Sequence, residues 1–328
     1  MKIVRDNLSR TIFVRVSSAA MKNHMIVRAA DMECETGLSN DLIRKWRSRY
    51  GFPTIVQLPD GAYGYASEQI AQLRQIKRLL DGGLRPGQIV GKSIEQLDQL
   101  IASFGCSKAN VTENAATREA IERLRVNDIQ GLNRLLEGER ARQSLTDFIE
   151  QTIAPLTVGL GDAWVLGEIE VYQEHLGTGC LLGMLFREIG NLSPKPGFPR
   201  IVFSTPSEEL HVLGLLMAQA VLADGGADCI YLGPHTPLGD LNMAAQACQA
   251  DIVALSISSS YPRHRTRPFI AQLREVLPGS IEIWAGGAGA GEIKRAPDGV
   301  RVFSDLREAA NALMERVGKV SAPTPGYP

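Results

Sequence analysis

The chain has 328 residues, which suits two or three domains better than one core, and its 44% hydrophobic and 22% charged residues are typical of a globular protein. The net charge is −1, so any nucleic-acid binding must come from a local basic patch. Its five cysteines show no Cys-x-x-Cys spacing and no secretory or membrane-spanning run is present, so we expect a cytoplasmic protein with reduced thiols and no membrane partner.

The first part of the chain predicts a leader followed by a helix-turn-helix. Residues 1–24 precede a second methionine and are expected to be a disordered leader. From 25 to 91 the pattern is helical and locally basic. A helix near 29–36, a tight turn at Gly37 and a second helix over 40–50, capped by Ser39, together predict a helix-turn-helix.

The second helix carries a dense set of cations that suits DNA phosphates and the major groove: Arg44, Lys45, Arg47 and Arg49. A run of charges is more often only a solvated surface, so the surroundings decide between the two interpretations. Residues 42–53 closely resemble the recognition helix and following turn of MerR-type regulators. Residues 59–65 then fit the small wing of that family, and a helix beginning at Ser67 follows the wing.

This resemblance implies a MerR-like winged helix-turn-helix, otherwise all-α, that binds promoter DNA. Its implied DNA contacts are Arg44, Lys45, Arg47, Arg49, Tyr63 and Tyr65. The chain departs from the family at the wing, where arginine is common at the place of Tyr63 and near Val56. Losing about two phosphate contacts predicts weaker DNA binding with a shallower salt dependence, unless oligomerisation compensates.

The middle of the chain predicts a linker and then a helical bundle. Residues 92–112 are polar, with one short helix over 94–104, and 113–193 carry helical periodicity nearly throughout, as expected of a four-helix bundle. Trp164 falls near the end of one helix, and Glu174 and His175 open the next. On these residues alone, a core tryptophan and capping electrostatics would explain the pattern.

Residues 198–318 alternate strands with helices, which predicts an α/β domain with a doubly wound, flavodoxin-like parallel sheet. The strands are expected near 201–204, 228–232, 251–258 and 282–289, the last ending in a glycine loop, with a short fifth one at 300–303 and a disordered tail over 319–328. His211 lies on the first strand-to-helix loop, at the sheet edge where such folds bind ligands. Neutral imidazole suits a transition metal such as cobalt, and Glu209 is placed to hold its other ring nitrogen.

The residues Glu209-x-His211-x-x-Gly214 resemble the Asp-x-His-x-x-Gly signature of cobalamin-binding domains, with Glu in place of Asp. The resemblance implies that His211 is the lower axial ligand of cobalt. It also implies that Ser256 and Ser258 hydrogen-bond a buried nucleotide tail, and that Gly286 and Gly287 leave a slot for that tail.

The bundle residues Trp164, Val171, Glu174 and His175 resemble the cap of light-sensing, adenosylcobalamin-dependent MerR-type repressors of the CarH/LitR group. There they line the upper face of the corrin around the adenosyl group. The resemblance implies a photoreceptor that assembles as a dimer or tetramer and represses in the dark, and that light releases. Some members carry a histidine beside the tryptophan as a second cobalt ligand, whereas this chain has Val165.

Two other functions fit parts of the pattern. A corrinoid protein serving methyl transfer has a similar cap and cofactor domain, but the DNA-binding pattern and the cap residues argue against it. A cofactor-free or differently liganded MerR-type regulator or anti-repressor is kept open by the missing wing arginines. We expect a regulator and not an enzyme.

Overall fold

A computed structural model describes residues 26–81, 84–108 and 114–321. The predicted leader and most of the predicted tail lie outside these residues. The chain divides into two compact units. The first consists of residues 1–110 together with 162–168, and the second of 111–161 together with 169–328.

The first unit is a winged helix-turn-helix. Its described elements are β1 (Ile26–Arg28), α1 (Met32–Thr36), α2 (Asn40–Tyr50), β2 (Val56–Gln57), β3 (Tyr63–Ala66), α3 (Ser67–Asp81), α4 (Pro86–Ile89) and α5 (Ile94–Lys108). The Ser39 hydroxyl accepts from the amide of Leu42 and so begins α2, and Gly51 ends it with a φ of 70°. The three strands form an antiparallel sheet in the order β1-β3-β2, in which β2 and β3 are the predicted wing and β1 adds a third strand to it.

The core of this unit extends beyond the predicted boundary at residue 91. Leu97 and Ile101 of α5 are buried with Leu73 and Ile76 of α3, because apolar residues at i and i+4 share one helix face. The short helix that the sequence predicts over 94–104 runs over 94–108 and belongs to the first unit. Residues 109–112 lie outside the described ones.

The second unit begins with helices, as predicted. They are α6 (Ala115–Arg125), α7 (Ile129–Arg142), α8 (Leu145–Phe148), a π-helical segment (Ile149–Ile153), α9 (Ala154–Val165) and α10 (Val171–Gly190). Segments α8, π and α9 run on without a break, and 162–168 group with the first unit. Buried Leu124, Leu136, Phe148 and Leu181 lie on four of these helices and show their inward faces.

The rest of the second unit is a parallel sheet with helices on both faces. Its elements are β4 (Arg200–Ser204), α11 (Leu213–Gly225), β5 (Asp228–Gly233), α12 (Leu238–Ala247), β6 (Ile252–Ser256), α13 (Arg263–Val276), β7 (Glu282–Gly286), a 3-10 turn (Ala288–Glu292), β8 (Val300–Val302) and α14 (Leu306–Ser321). The strand order β5-β4-β6-β7-β8 is the flavodoxin-like order, with its switch point beside β4. Helix α14 extends through 321 into the segment predicted as tail.

Alternate residues of each strand face opposite layers, which is why the strands are apolar throughout. Val202 and Val253 lie in a core cluster with residues of α12 and α13. Phe203, Ala254 and Trp284 lie in a second cluster with residues of α11 and α14. The doubly wound prediction is confirmed.

Three further findings concern membrane-spanning helices, metal clusters and cysteines. In the described ranges, no helix is long and apolar enough to cross a bilayer. Nor do any three His, Cys, Asp or Glu side chains in these ranges gather as a metal site. Cys180, Cys229 and Cys248 are free, and burial raises the pKa of the Cys229 thiol to about 12, so this thiol is unreactive at neutral pH.

Candidate functional site

The carboxyl edge of the sheet brings Glu209, His211 and Ser258 together. Glu209 Oε1 accepts from the amide of His211 at 2.9 Å and lies 2.7 Å from His211 Nδ1. Glu209 Oε2 accepts from the amide of Ser258 at 3.0 Å and from its hydroxyl at 2.6 Å. One buried carboxylate therefore fixes both the first and the third loops of the sheet.

The electrostatics of this cluster favour an ionised Glu209. Burial by itself would raise the pKa of this carboxyl, but the hydrogen bonds from His211 and Ser258 outweigh burial and lower the pKa to about 2. The His211 side chain remains 63% exposed. Because Nδ1 is held by the carboxylate, Nε2 is the ring nitrogen that this geometry offers to a metal.

A cavity of about 380 Å³ lies among the elements next to this cluster. Gly214 of α11 and Ser256 of β6 line it, together with Gly286 and Gly287 at the end of β7. A side chain at Gly214 would lie 2.9 Å from Ser256 Oγ, whereas one at Gly286 would enter open space. The small residues keep this space open.

The Gly-Gly pair also has a structural role that the sequence did not indicate. Gly287 adopts a φ of 90°, and a Cβ there would lie 2.5 Å from the carbonyl oxygen of Ile257. Only glycine allows the two loop backbones to approach this closely. The pair therefore both lines the cavity and fixes the loop that carries Ser258.

The start of α10 presents the predicted cap residues that belong to the second unit. Val171 is its first residue and is 40% exposed. Glu174 Oε1 accepts from the hydroxyl of Thr178 at 2.7 Å, and its Oε2 lies 3.6 Å from His175 Nε2. An apolar residue and a polar pair are therefore both accessible on this turn, in the same unit as His211.

Trp164 is placed differently. It belongs to the segment 162–168, which groups with the first unit, and the Lys77 ammonium lies 5.7 Å from its ring centroid. Its indole nitrogen is buried and lacks a hydrogen-bond partner among the described residues. Val165 beside it is buried. Trp164 and His211 belong to different units, so the place of Trp164 in the cap stays a prediction.

Helix α2 presents the predicted DNA-contacting cations. Ile43 and Trp46 bury one face of the helix. On its other positions Arg44, Lys45 and Arg49 are exposed, and Arg47 is half-buried. Because Arg44 makes only an exposed 3.4 Å ion pair with Asp41, which is a weak interaction, its guanidinium can turn to a phosphate.

The two wing tyrosines have different environments. Tyr63 is 43% exposed, whereas Tyr65 is 4% exposed and packs in the core of the first unit. Tyr65 pairs with Val27 of β1 in the backbone register of the sheet, and its side chain packs among the buried residues of this unit. Its burial gives Tyr65 a structural role in the core, and its contact with DNA stays a prediction.

Several site residues were not singled out from the sequence. The cavity is also lined by Trp284 and Phe303, whose rings lie 5.0 Å apart, and by Glu150 of the π-helical segment. His235 Nδ1 accepts from the amide of Glu208 at 2.6 Å and so fixes the second loop to the first. Trp284, two residues before the Gly-Gly pair, was the one sequence signal for this wall of the cavity.

Comparison with known proteins identifies the chain. Residues 28–92 match the family described as MerR HTH family regulatory protein. The HTH-type transcriptional repressor CarH of Myxococcus xanthus is 30% identical over 281 residues, which cover 83% of this chain and 91% of that protein. The chain belongs to the CarH family.

A second member of the CarH family, the HTH-type transcriptional repressor CarA of Myxococcus xanthus, is 26% identical over 83% of this chain and 90% of its own length. Among solved structures, the Methanosarcina barkeri monomethylamine corrinoid protein covers 60% of this chain and 96% of its own, at 17% identity and a TM-score of 0.48. A cobalamin-binding protein from Desulfitobacterium hafniense covers 61% of this chain and 98% of its own, at 16% identity and a TM-score of 0.32. Both curated relatives are repressors, so this member of the CarH family is a DNA-binding transcriptional regulator and not an enzyme.

Proposed function

We propose that this regulator is a cytoplasmic, adenosylcobalamin-dependent photoreceptor that represses transcription in the dark and is released from promoter DNA by light. The observation that carries the proposal is the buried Glu209 carboxylate, which orients an exposed His211 on the loop before α11, the helix whose Gly214 lines the apolar cavity. A lone, oriented histidine is what a corrin needs from a protein, because the macrocycle itself supplies the equatorial ligands.

The residues present fit this cofactor. His211 Nε2 would coordinate cobalt, with Glu209 and Ser258 fixing the ring. Ser256, Gly286 and Gly287 would admit the nucleotide tail to the cavity. Val171, Glu174 and His175, with Trp164, would cover the opposite face, where the polar pair suits a ribose and the indole suits an adenine. The cofactor supplies a cobalt–carbon bond that light breaks.

The protein's own part is to couple the loss of the adenosyl group to a change in assembly. A ligand shifts a conformational equilibrium only by its different affinity for the two states. Contacts that Val171, Glu174 and Trp164 make with an adenosyl group vanish when that group leaves, so the cap that favours a dimer or tetramer loses its advantage. With Val165 in place of a histidine, the chain would offer no second imidazole there, and we expect no bis-imidazole spectrum after illumination.

An absorption experiment tests the cofactor half of the proposal. The full-length protein is mixed with adenosylcobalamin in the dark, and its spectrum is recorded before and after green light. We expect a histidine-coordinated spectrum that His211→Ala abolishes and that His264→Ala, an exposed control on α13, leaves unchanged. An unaltered spectrum in His211→Ala contradicts the assignment, and no binding by the wild type favours a cofactor-free regulator.

A mass measurement tests the assembly half. Size-exclusion chromatography with light scattering compares dark and illuminated samples of the wild type and Trp164→Ala, with adenosylcobalamin and methylcobalamin in parallel. We expect a larger dark assembly only for the wild type with the adenosyl form. Equal masses in every condition exclude light-gated assembly.

The DNA half rests on the cations of α2. Charge reversal at Arg44, Arg47 and Arg49 should weaken DNA binding and lower its dependence on salt. Fewer phosphates are then neutralised, so fewer counterions are released on binding. Gel-shift titrations at several salt concentrations measure both quantities. Cobalamin spectra of the same variant serve as the control for folding, and unchanged DNA affinity contradicts this placement of the DNA surface.

A further inference from the structure

The apolar cavity of the second unit has walls from both sheet and helices. Phe203, Ala254 and Trp284 contribute from three neighbouring strands. Ala218 and Leu222 contribute from α11. Trp284 is 2% exposed and its indole N–H already donates to Glu282 Oε2 at 2.9 Å, so this ring offers the cavity a π-face and no spare donor.

Polar side chains occur at only a few places around the cavity, and most of these are already engaged. The Ser304 hydroxyl donates to Glu308 at 3.0 Å, and Asp305 Oδ1 accepts from the Glu308 amide at 2.8 Å, because both residues form the start of α14. The Glu150 carboxylate accepts from Arg307 Nε at 2.9 Å. Ser256 lies at the end of β6 beside Gly286, its register partner on β7.

We propose that this cavity selects the cofactor by its lower base, and that it accepts a benzimidazole tail and discriminates against a purine tail. This inference rests on the proposed function, in which the detached tail enters the cavity. A detached dimethylbenzimidazole carries two methyl groups, which apolar walls bury favourably. An adenine brings an exocyclic amine and further ring nitrogens, and the walls formed by Ala254, Leu222 and Trp284 offer these groups no hydrogen-bond partner.

Physical chemistry gives the direction and the size of the effect. A polar group that is buried without a hydrogen-bond partner loses all of its hydration free energy. This loss is larger than the net free energy that a hydrogen bond contributes when it forms. One such group lowers affinity by about tenfold. An adenine tail places more than one such group against Ala254, Leu222 and Trp284. We therefore expect at least about tenfold weaker binding of the adeninyl cofactor.

The test compares three ligands on the full-length protein in the dark. They are adenosylcobalamin, the adenosyl form of adeninylcobamide, and adenosylcobinamide, which has no tail. Dissociation constants come from equilibrium dialysis, with absorption spectra reporting histidine coordination. We expect the first ligand to bind tightest, by at least about tenfold over each of the others.

The outcomes separate this inference from the proposed function. If none of the three ligands binds with histidine coordination, the proposed function fails. If cobalamin and adeninylcobamide bind equally while cobinamide binds weakly, the tail enters the cavity and the selectivity is refuted. If cobinamide binds as tightly as cobalamin, the cavity takes no tail.

Two cavity-filling variants add an independent check. Gly286→Val adds a side chain into open space, and Ala218→Phe fills the cavity from α11. Each should lower the affinity for cobalamin to that for cobinamide and leave cobinamide binding within about twofold, which also shows that the variant is folded. Ala247→Phe, at the exposed end of α12, is the matched control. Unchanged cobalamin affinity in a variant that still binds cobinamide overturns the inference.

Discussion

Replacing Glu209 with glutamine tests the network that holds His211. The carboxylate is buried and accepts from the amides of His211 and Ser258, from the Ser258 hydroxyl and from the His211 ring. Glutamine has nearly the same shape but only one acceptor oxygen. Its NH₂ group would therefore face donors on one side, and at least one buried donor would lose its partner.

The pKa gives the size of the effect. The lowering of the Glu209 pKa from 4.5 to about 2 corresponds to a preference for the ionised form on the order of 3 kcal/mol. We expect Glu209→Gln to reduce the free energy of unfolding at neutral pH by about 2–3 kcal/mol. Because the folded-state pKa is depressed, this stabilisation is present above the unfolded value of 4.5 and is lost as the pH falls towards about 2.

Urea unfolding of the cofactor-free, full-length protein measures the difference, with circular dichroism and tryptophan fluorescence as probes. Glu208→Gln is the control on the same loop, since that carboxylate is exposed and pairs with Arg265 at the surface. Equal unfolding midpoints for Glu209→Gln and wild type at neutral pH would refute the reasoning. So would a difference that stays constant as the pH is lowered through this window.

Two matched pairs of variants test other features. Tyr63→Ala should weaken DNA binding in gel shifts with little change in thermal stability, whereas Tyr65→Ala should lower stability by about 3–5 kcal/mol, since a large buried ring is removed. If Tyr63→Ala is the less stable variant, the wing is placed wrongly. Gly287→Ala should destabilise the protein by more than about 1 kcal/mol, because its φ is 90° and Ile257 blocks the Cβ, whereas Gly291→Ala meets open space and should be nearly neutral. Urea midpoints check this pair, and equal values contradict the close approach.

The sequence predicted most of the sheet because each of its strands is a short apolar run with turn residues after it. It did not predict β1, since three residues have no periodicity and Ile26–Arg28 form a strand only by pairing with β3, far along the chain. The length of helix α5 and its place in the core of the first unit were not predicted, because polar residues surround its buried Leu97 and Ile101 in the sequence. In both places the deciding partner is distant in sequence.

The candidate site was predictable in part for a similar reason. Glu209 and His211 are neighbours, so their spacing predicted their hydrogen bond. The bond from Ser258 needed only the rule that carboxyl ends of parallel strands meet at one edge. The cavity needed more, because its walls come from strands and helices whose side chains converge only in three dimensions. The engagement of Trp284 by Glu282 had no counterpart in any motif.

The apolar cavity also has a consequence for the life of the protein before any cofactor arrives. Side chains such as Phe203 and Leu222 lack close-packed neighbours on the cavity side, so the cofactor-free chain forgoes part of its dispersion energy. A ligand that fills the space stabilises the folded state by mass action. Under the proposed function, newly made chains without vitamin unfold more often and are degraded sooner. The cellular amount of this repressor would then rise and fall with the supply of the vitamin, more slowly than any response to light.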